Sequence, residues 1–173
     1  NLTRTMHSPQ ASFQTVIKPD AVWEADFAIG LVGTSVVVDG STIRMFYALR
    51  NRSLGCGHGD QPPCSAKLPP QPNYEPSAGQ ILTALAESTD GGNSWTKPLL
   101  NRFSIHGSKA NNVLGPIFKK APREHENVSS IDTVFIDPNA ANGSTKRYRG
   151  VTGSYPSYSK DGVSWTLGEE PWD

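Results

Sequence analysis

The apolar residues of this chain fall into short runs that are separated by turn-forming residues, and no stretch shows a convincing helical apolar period. The run Ser35–Val38 is followed by Asp39-Gly40 and then by Ile43–Leu49. Asp-Gly between two β-rich runs is one of the strongest short-range hairpin signals. The pattern therefore predicts a β-hairpin here, and the 16 glycines and 14 prolines of the chain favour an all-β fold.

Further strands are predicted after a long stretch without pattern. Residues 51–78 are rich in Pro, Gly and polar side chains, which predicts a surface insertion. Strand character returns at Gln80–Glu87, at Ile131–Ile136 and at Arg147–Thr152. Each of these runs is bounded by turn formers, as expected for strands of an antiparallel sheet.

Two turns of the chain repeat one motif. Ser88-Thr89-Asp90-Gly91-Gly92-Asn93-Ser94-Trp95 and Ser159-Lys160-Asp161-Gly162-Val163-Ser164-Trp165 are both Ser-x-Asp-Gly turns followed by Trp, and we call them Asp-box-like turns. In such a corner the Asp carboxylate accepts N–H groups of its own turn, Gly adopts positive φ, and the Trp packs under the next strand. Two copies after predicted strands indicate a repeated β-sheet module, as in a propeller.

The order of these motifs resembles the N-terminal part of the five-bladed β-propeller proteins related to glycoside hydrolase families 32 and 43, in particular their secreted, glycosyl-hydrolase-like members. The segments that carry the resemblance are Trp23-Glu24, Arg44–Tyr47, Ala86–Pro98, Gly107–Val113, Asp132–Asn139, Arg147–Arg149 and Tyr158–Thr166.

The resemblance implies a partial β-propeller of about three blades as a single domain over residues 1–173. A blade takes about 40 to 50 residues, so we expect this chain to be a fragment of a longer one. The remaining blades would then come from the rest of that chain or from a partner subunit.

In the hydrolases of this group, carboxylates from the innermost strands project into an axial funnel, and two of them flank the glycosidic bond. The resemblance makes Asp132, Glu24 and Asp26 the catalytic candidates, while the general-acid Glu would lie on a blade outside this chain. The family's second carboxylate motif usually reads Arg-Asp-Pro, and here it reads Ile-Asp-Thr. The other interpretations are a buried Asp132 bonded to a neighbouring blade, and solvated carboxylates of Glu24 and Asp26 in a loop.

The remaining site predictions concern sugar contacts and ions. Trp23, Asn111 and Asn112 are candidates to contact a sugar, although a turn explains the two amides equally well. No cofactor is expected. Some propellers of this kind hold an axial Ca²⁺, but this sequence contains no Ca²⁺ ligand loop.

Glycosylation sequons and the cysteines indicate the compartment. Asn-x-Ser/Thr sequons begin at Asn1, Asn51, Asn127 and Asn142. Cys56 and Cys64 bracket a Gly/Pro-rich loop, which favours a local disulfide over a zinc site that would use His58 and lack a fourth ligand. These features predict a secreted, N-glycosylated protein.

Charge and hydropathy narrow the classes of partner. The 16 Lys and Arg residues balance the 16 Asp and Glu residues, so no global field attracts nucleic acid, and no apolar run approaches the ~20 residues that span a bilayer. We therefore expect a carbohydrate-binding propeller with glycoside hydrolase activity if the carboxylate set is complete. The alternatives are a non-catalytic structural or glycan-binding module of an extracellular assembly, and a sialidase-like enzyme. The latter would need an arginine cluster for the substrate carboxylate and a Tyr/Glu nucleophile pair, and no early Arg-Ile-Pro-type strand is present.

Overall fold

The computed structural model describes residues 15–24, 27–51, 81–105, 107–115, 117–118, 127–128, 130–141, 143–153 and 155–169. Several of the predicted sites lie outside these residues: Asp26, the cysteines Cys56 and Cys64 with His58, and the sequon residues Asn1 and Asn142. Of the other two sequons, Asn51 ends a strand and Asn127 begins one.

The described residues form strands and one short 3-10 helix, so the all-β prediction is confirmed. The helix is Val22–Glu24, and none in the described ranges is long and apolar enough to cross a membrane. The strands are β1 (Phe27–Asp39), β2 (Thr42–Asn51), β3 (Ile81–Ser88), β4 (Val113–Gly115), β5 (Ile117–Phe118), β6 (Asn127–Val128), β7 (Thr133–Ile136), β8 (Tyr148–Thr152), β9 (Tyr155–Ser159) and β10 (Trp165–Leu167).

The strands build two four-stranded antiparallel sheets. The first sheet has the order β1-β2-β3-β4, the second has the order β7-β8-β9-β10, and β5 and β6 form a separate pair. Neighbours in each large sheet are also consecutive strands of that sheet, as expected when short connections join antiparallel strands.

The Asp39-Gly40 hairpin forms as predicted. Asp39 pairs with Thr42, and Gly40 adopts φ +63°, a conformation that favours glycine. The register of β1 shifts between Gly30 and Ser35, which is the signature of a β-bulge or similar irregularity.

The outer edge of β3 is covered by two separate chain segments. At one end Glu87 and Thr96 exchange backbone hydrogen bonds of 2.9 and 2.8 Å. At the other end β4 pairs with Thr83 and Ala84, and Leu85 N–H donates to the Asn112 carbonyl at 3.0 Å. The chain between Thr96 and Asn112 makes an excursion away from this edge.

Each face of the first sheet carries a buried apolar cluster. One face carries a cluster of Phe27, Tyr47, Leu49, Leu82, Ala84, Ala86, Ile105 and Val113, against which Ile17 and Trp23 pack. The other face packs on the second sheet through Val37, Phe46, Leu85, Leu114, Ile131, Val134 and Tyr148. The two sheets are thus layers around a shared apolar core.

The Asp-box-like turns have the predicted structure. In the first, Ser94 N–H donates to Asp90 Oδ1 at 2.9 Å, and the Trp95 indole donates to the Gly92 carbonyl at 3.0 Å. In the second, Ser164 N–H donates to Asp161 Oδ1 at 2.7 Å, and Trp165 donates to the Gly162 carbonyl at 2.9 Å, with Gly162 at φ +75°. Both aspartates therefore hold their own turns.

The two sheets also share one pairing register relative to these turns. Ser88 pairs with Ile43 in the first sheet, and Ser159 pairs with Tyr148 in the second. Continuing inward, Ile43 pairs with Val38, and Tyr148 pairs with Ile136. Relative to its Asp-box-like turn, each of these residues of the second sheet therefore has the same pairing as its counterpart in the first sheet.

Candidate functional site

Asp132 lies one residue before β7 and is exposed. Its N–H donates to the Val151 carbonyl at 2.7 Å, and its Oδ2 accepts the Gly153 N–H at 3.0 Å. The Ser130 hydroxyl donates to Oδ1 at 3.2 Å. The sequence pattern had suggested a carboxylate inside an apolar strand, but the strand begins after it. A carboxylate at this position keeps contact with water, so it avoids the cost of burial.

The residues on either side of Asp132 are fixed to the first sheet. Ile131 N–H donates to Thr83 Oγ1 at 2.8 Å, and Val134 N–H donates to Ser35 Oγ at 3.0 Å. Asp132 is therefore an exposed carboxylate held at the junction of the two sheets. A carboxylate in this setting can accept hydrogen bonds from the hydroxyl groups of a ligand.

Glu24 lies in a different environment, because its side chain is fully buried. Lys97 Nζ donates to both of its oxygens, at 2.7 and 2.9 Å. Oε2 also accepts the N–H groups of Asp20 and Ala21, each at 3.0 Å. These four hydrogen bonds hold the segment before β1 against the turn that contains Trp95. Because the Glu24 carboxylate is buried, a sugar cannot reach it.

Lys97 is in turn saturated by oxygen acceptors. Besides Glu24, its ammonium donates to Asp20 Oδ1 and to the Lys18 carbonyl, each at 2.7 Å. A cleft of about 340 Å³ opens beside this group, lined by residues 15–18, Asp20, Trp95 and Lys97. Since the single ammonium of Lys97 is shared between Asp20 and the buried Glu24, Lys97 offers the cleft no free cation.

Tyr47 and Asn112 form a second buried polar pair close to Glu24. Asn112 Nδ2 donates to Tyr47 Oη and to the Leu85 carbonyl, both at 2.7 Å. Burial raises the pKa of the Tyr47 phenol well above its ordinary value of 10, the Asn112 bond lowers it, and the Glu24 carboxylate raises it further. Both amide hydrogens of Asn112 are therefore used inside the protein.

The other two predicted sugar contacts also have internal partners. The buried Asn111 amide donates to the carbonyls of Phe103 and Ser108, at 2.8 and 3.2 Å, and accepts the Val113 N–H at 3.1 Å. Trp23 is half-buried and packs edge-on against Phe27, with ring centroids 5.9 Å apart. All four predicted site residues bond within the protein, but Asp132 is exposed while Glu24, Asn111 and Asn112 are buried.

A charged cluster between the two sheets was not anticipated from the sequence. Asp39 at the end of β1 accepts hydrogen bonds from Arg147 and from the Tyr148 hydroxyl. Arg44 donates through Nε to Glu87 at 2.9 Å, and through Nη1 to Tyr148 Oη at 2.8 Å. The sequence predicted a strand over Arg147–Thr152 but gave no signal for the partners of Arg147 and Tyr148.

This cluster ties the first sheet to the second Asp-box-like turn. Arg44 Nη1 also donates to the Asp161 carbonyl at 2.6 Å. A Cβ on Gly162 would lie only 3.0 Å from that same Nη1. Arg44 is therefore a cross-sheet contact whose guanidinium has partners, as does that of Arg147, so neither is a free cation for an anionic sugar.

The Asp39 cluster leads to a prediction about acid stability. A hydrogen bond from Arg147 lowers the pKa of Asp39 from 3.8 to about 2, against burial, which raises it. Because the folded protein prefers the ionised form, the stabilisation is complete above about pH 4 and is lost as the pH falls toward 2. Allowing for solvent screening, we expect Asp39→Asn to lower the free energy of unfolding by about 1–2 kcal/mol at pH 7.

Urea unfolding at pH 7, 4 and 2 measures this effect. The difference between wild type and Asp39→Asn should shrink to below about 0.5 kcal/mol at pH 2, while the exposed Glu169→Gln control stays close to wild type throughout. A difference that is the same at all three pH values would show that the ion pair is not its source.

Within the described residues, no three His, Cys, Asp or Glu side chains are grouped so that they could hold a metal ion. The fold and the site define an all-β protein of antiparallel sheets with one exposed, anchored carboxylate at the sheet junction. No protein-family model, curated protein or solved structure matches the chain.

Proposed function

We propose that this chain is part of a secreted five-bladed β-propeller that binds carbohydrate, with Asp132 as the carboxylate that meets the sugar. Two four-stranded antiparallel sheets of the same strand order, each with an Asp-box-like turn after its third strand, support this proposal. Consecutive sheets of this kind are typical of propeller blades. The first strands of the two sheets, β1 and β7, also contact each other, as the innermost strands of neighbouring blades do.

The observation that carries the proposal is the exposed, oriented carboxylate of Asp132. The Gly153 N–H and the Ser130 hydroxyl fix its direction, and its exposure leaves acceptor capacity for a ligand. Binding sites on propellers form where the ends of strands from several blades meet. The position of Asp132 immediately before β7, at the end of a strand, supports this role.

Glycoside hydrolysis requires more than the described residues supply. It uses two carboxyl groups about 5 to 10 Å apart. Glu24 is bonded to Lys97 and buried, so it is not the second group. We therefore propose binding as the function of this part of the protein, and hydrolysis only if a general-acid Glu is contributed from elsewhere.

A second candidate function is a non-catalytic module of an extracellular assembly. The internal bonding of Glu24, Asn111 and Asn112 favours it, because three of the predicted ligand contacts serve the fold instead. The two functions lead to different expectations. If the protein binds carbohydrate through Asp132, removal of this carboxylate lowers the affinity for a glycan, and if it is an assembly module, the removal has no such effect.

A glycan array followed by titration calorimetry tests the proposal. For a glycan bound by the wild type, Asp132→Asn should weaken binding by about 10- to 100-fold, since hydrogen bonds to a charged group contribute about 1.5–3 kcal/mol. The asparagine can still accept the Gly153 N–H through its amide oxygen, so the local fold is kept.

Glu169→Gln is the matched control, because Glu169 is also exposed but lies beyond β10. It should bind the same glycan as tightly as the wild type. Equal affinity of Asp132→Asn and wild type, or no glycan bound at all, would contradict the proposal and leave the assembly module as the better interpretation.

A further inference from the structure

We infer that the cleft beside the Trp95 turn is a binding site for an uncharged, hydroxyl-rich ligand of the size of a monosaccharide. The cleft has a volume of about 340 Å³ and is lined by residues 15–18, Asp20, Trp95 and Lys97. Small-molecule sites in proteins begin at about 300 Å³. A single sugar ring therefore fits the cleft.

The residues that form this cleft distinguish the first Asp-box-like turn from the second. The two turns continue as Trp95-Thr96-Lys97 and as Trp165-Thr166-Leu167. Trp165 and Leu167 pack against the apolar layer between the two sheets. At the equivalent positions of the first turn, Trp95 and Lys97 line the cleft. The cleft is therefore particular to the first turn and is not part of the repeated module.

The Trp95 ring supplies an apolar wall. The ring is half-buried against the core cluster that contains Phe27, and its N–H already donates to the Gly92 carbonyl at 3.0 Å. An indole has no other hydrogen-bonding atom, so the part of the ring that lines the cleft offers only apolar surface. The C–H groups on one face of a sugar ring can pack on a surface of this kind.

The segment before β1 supplies donors and acceptors. Between the described residues, no hydrogen bond uses the N–H and C=O groups of Thr15, Val16 or Ile17, or the Thr15 hydroxyl. The Asp20 side chain is 53% exposed and accepts the Lys97 ammonium through Oδ1, which leaves acceptor capacity on Oδ2. A hydroxyl group both donates and accepts, so a ligand rich in hydroxyls can use this mixture.

The charges around the cleft balance one another. Lys97 is paired with Asp20 and with the buried Glu24. A hydrogen bond from Lys97 lowers the pKa of Asp20 against burial, and the charge of the exposed Lys18 acts in the same direction. The two ammonium groups and the two carboxylates sum to no net charge. The site as a whole therefore attracts neither an anion nor a cation.

The cleft is separate from Asp132, and this inference does not depend on the proposed function. The Trp95 turn is joined to β3 at Glu87. Asp132 follows Ile131, which bonds to Thr83 near the start of the same strand. Four residues of a strand span about 13 Å, so a ligand in the cleft and a ligand at Asp132 can be observed separately.

An NMR titration of the ¹⁵N-labelled chain tests the inference. The probes are glucose, galactose, mannose and N-acetylglucosamine, with glucuronate and glucosamine as charged comparisons on the same ring. For at least one uncharged sugar we expect saturable shifts of the Trp95 indole signal and of the Val16 and Lys18 amide signals. A Kd of about 1–10 mM is expected for a ligand of about twelve non-hydrogen atoms. Trp95→Phe removes one indole signal and thereby identifies it.

Asp20→Asn tests the part of the carboxylate. It should weaken the binding of that sugar by about tenfold, because a hydrogen bond to a charged group becomes one to a neutral amide. Lys97 keeps Glu24 and the Lys18 carbonyl as acceptors in this variant, so the segment stays in place. Glu169→Gln, which changes an exposed carboxylate beyond β10, should bind as the wild type does. The shifts of the wild type locate the ligand even if Asp20→Asn does not fold.

Three results would overturn the inference. The signals of the cleft could stay unchanged with all four uncharged sugars, which would mean that the cleft is not a sugar site. Glucuronate or glucosamine could bind more tightly than every uncharged sugar, which would mean that the ligand is charged. The shifts could be confined to Gly153 and the other neighbours of Asp132 and persist in Asp20→Asn, which would leave the proposed function intact and the cleft without a ligand.

Discussion

Lys97→Met should lower the free energy of unfolding by about 3–5 kcal/mol, which is the usual cost of removing one partner of a buried ion pair. The Glu24 carboxylate is fully buried and receives two of its four hydrogen bonds from Lys97. The substitution keeps the length of the side chain but leaves this charge without its counter-ion. Urea unfolding at pH 7 measures the change, and thermal unfolding should show a decrease in Tm of about 10 °C.

The double variant Glu24→Gln/Lys97→Met separates the ion pair from the packing of the lysine side chain. It should be more stable than Lys97→Met, because the uncompensated charge is gone while the Gln side chain can still accept the N–H groups of Asp20 and Ala21. Lys160→Met changes an exposed lysine and should stay within about 0.5 kcal/mol of wild type. A single variant as stable as the wild type would show that the pair contributes nothing.

Phe46→Ala is expected to destabilise the protein by about 3–5 kcal/mol through the cavity that it leaves between the sheets. The Phe46 side chain is fully buried. Its ring lies edge-on to Trp165 and to Tyr148, with centroid distances of 6.1 and 6.5 Å. Trimming it removes contacts to both β8 and β10, so the second sheet should loosen. Chemical denaturation and the near-ultraviolet circular dichroism of the tryptophans report the change.

Phe135→Ala is the matched control, since it removes the same ring from an exposed position of the second sheet. It should change the stability of the isolated chain by less than about 1 kcal/mol. If the two variants were equally stable, the apolar layer between the sheets would not be the main connection between them.

The local sequence predicted five of the ten strands, β1, β2, β3, β7 and β8, because their signals are local. Asp39-Gly40 fixed the first hairpin, and the strand predicted at Gln80–Glu87 corresponds to β3. The Ser-x-Asp-Gly sequences were sufficient to predict the turn bonds of Asp90 and Asp161. In each case the residues that make the structure lie within a few positions of one another.

The candidate site was predicted less well because its contacts are distant in sequence. Glu24 and Lys97 are separated by 73 positions, and Asp39 and Arg147 by 108. No local sequence pattern predicts either ion pair. For Asp132 the apolar residues Ile131 and Val134 suggested one continuous strand, but Ile131 bonds to Thr83 of the other sheet and β7 starts only at Thr133.

The divided outer edge of β3 makes the intervening excursion a place where chain length can change. Thr96 and Asn112 are each bonded to β3 independently, so the register at one end does not depend on the number of residues between them. Within the excursion, Ile105 is buried in the core and Asn111 bonds to Phe103 and Ser108, so a change of length fits only at exposed positions such as Asn101. Homologous chains can therefore lengthen or decorate the segment at such positions while the sheet, and the junction at Asp132, keep their geometry.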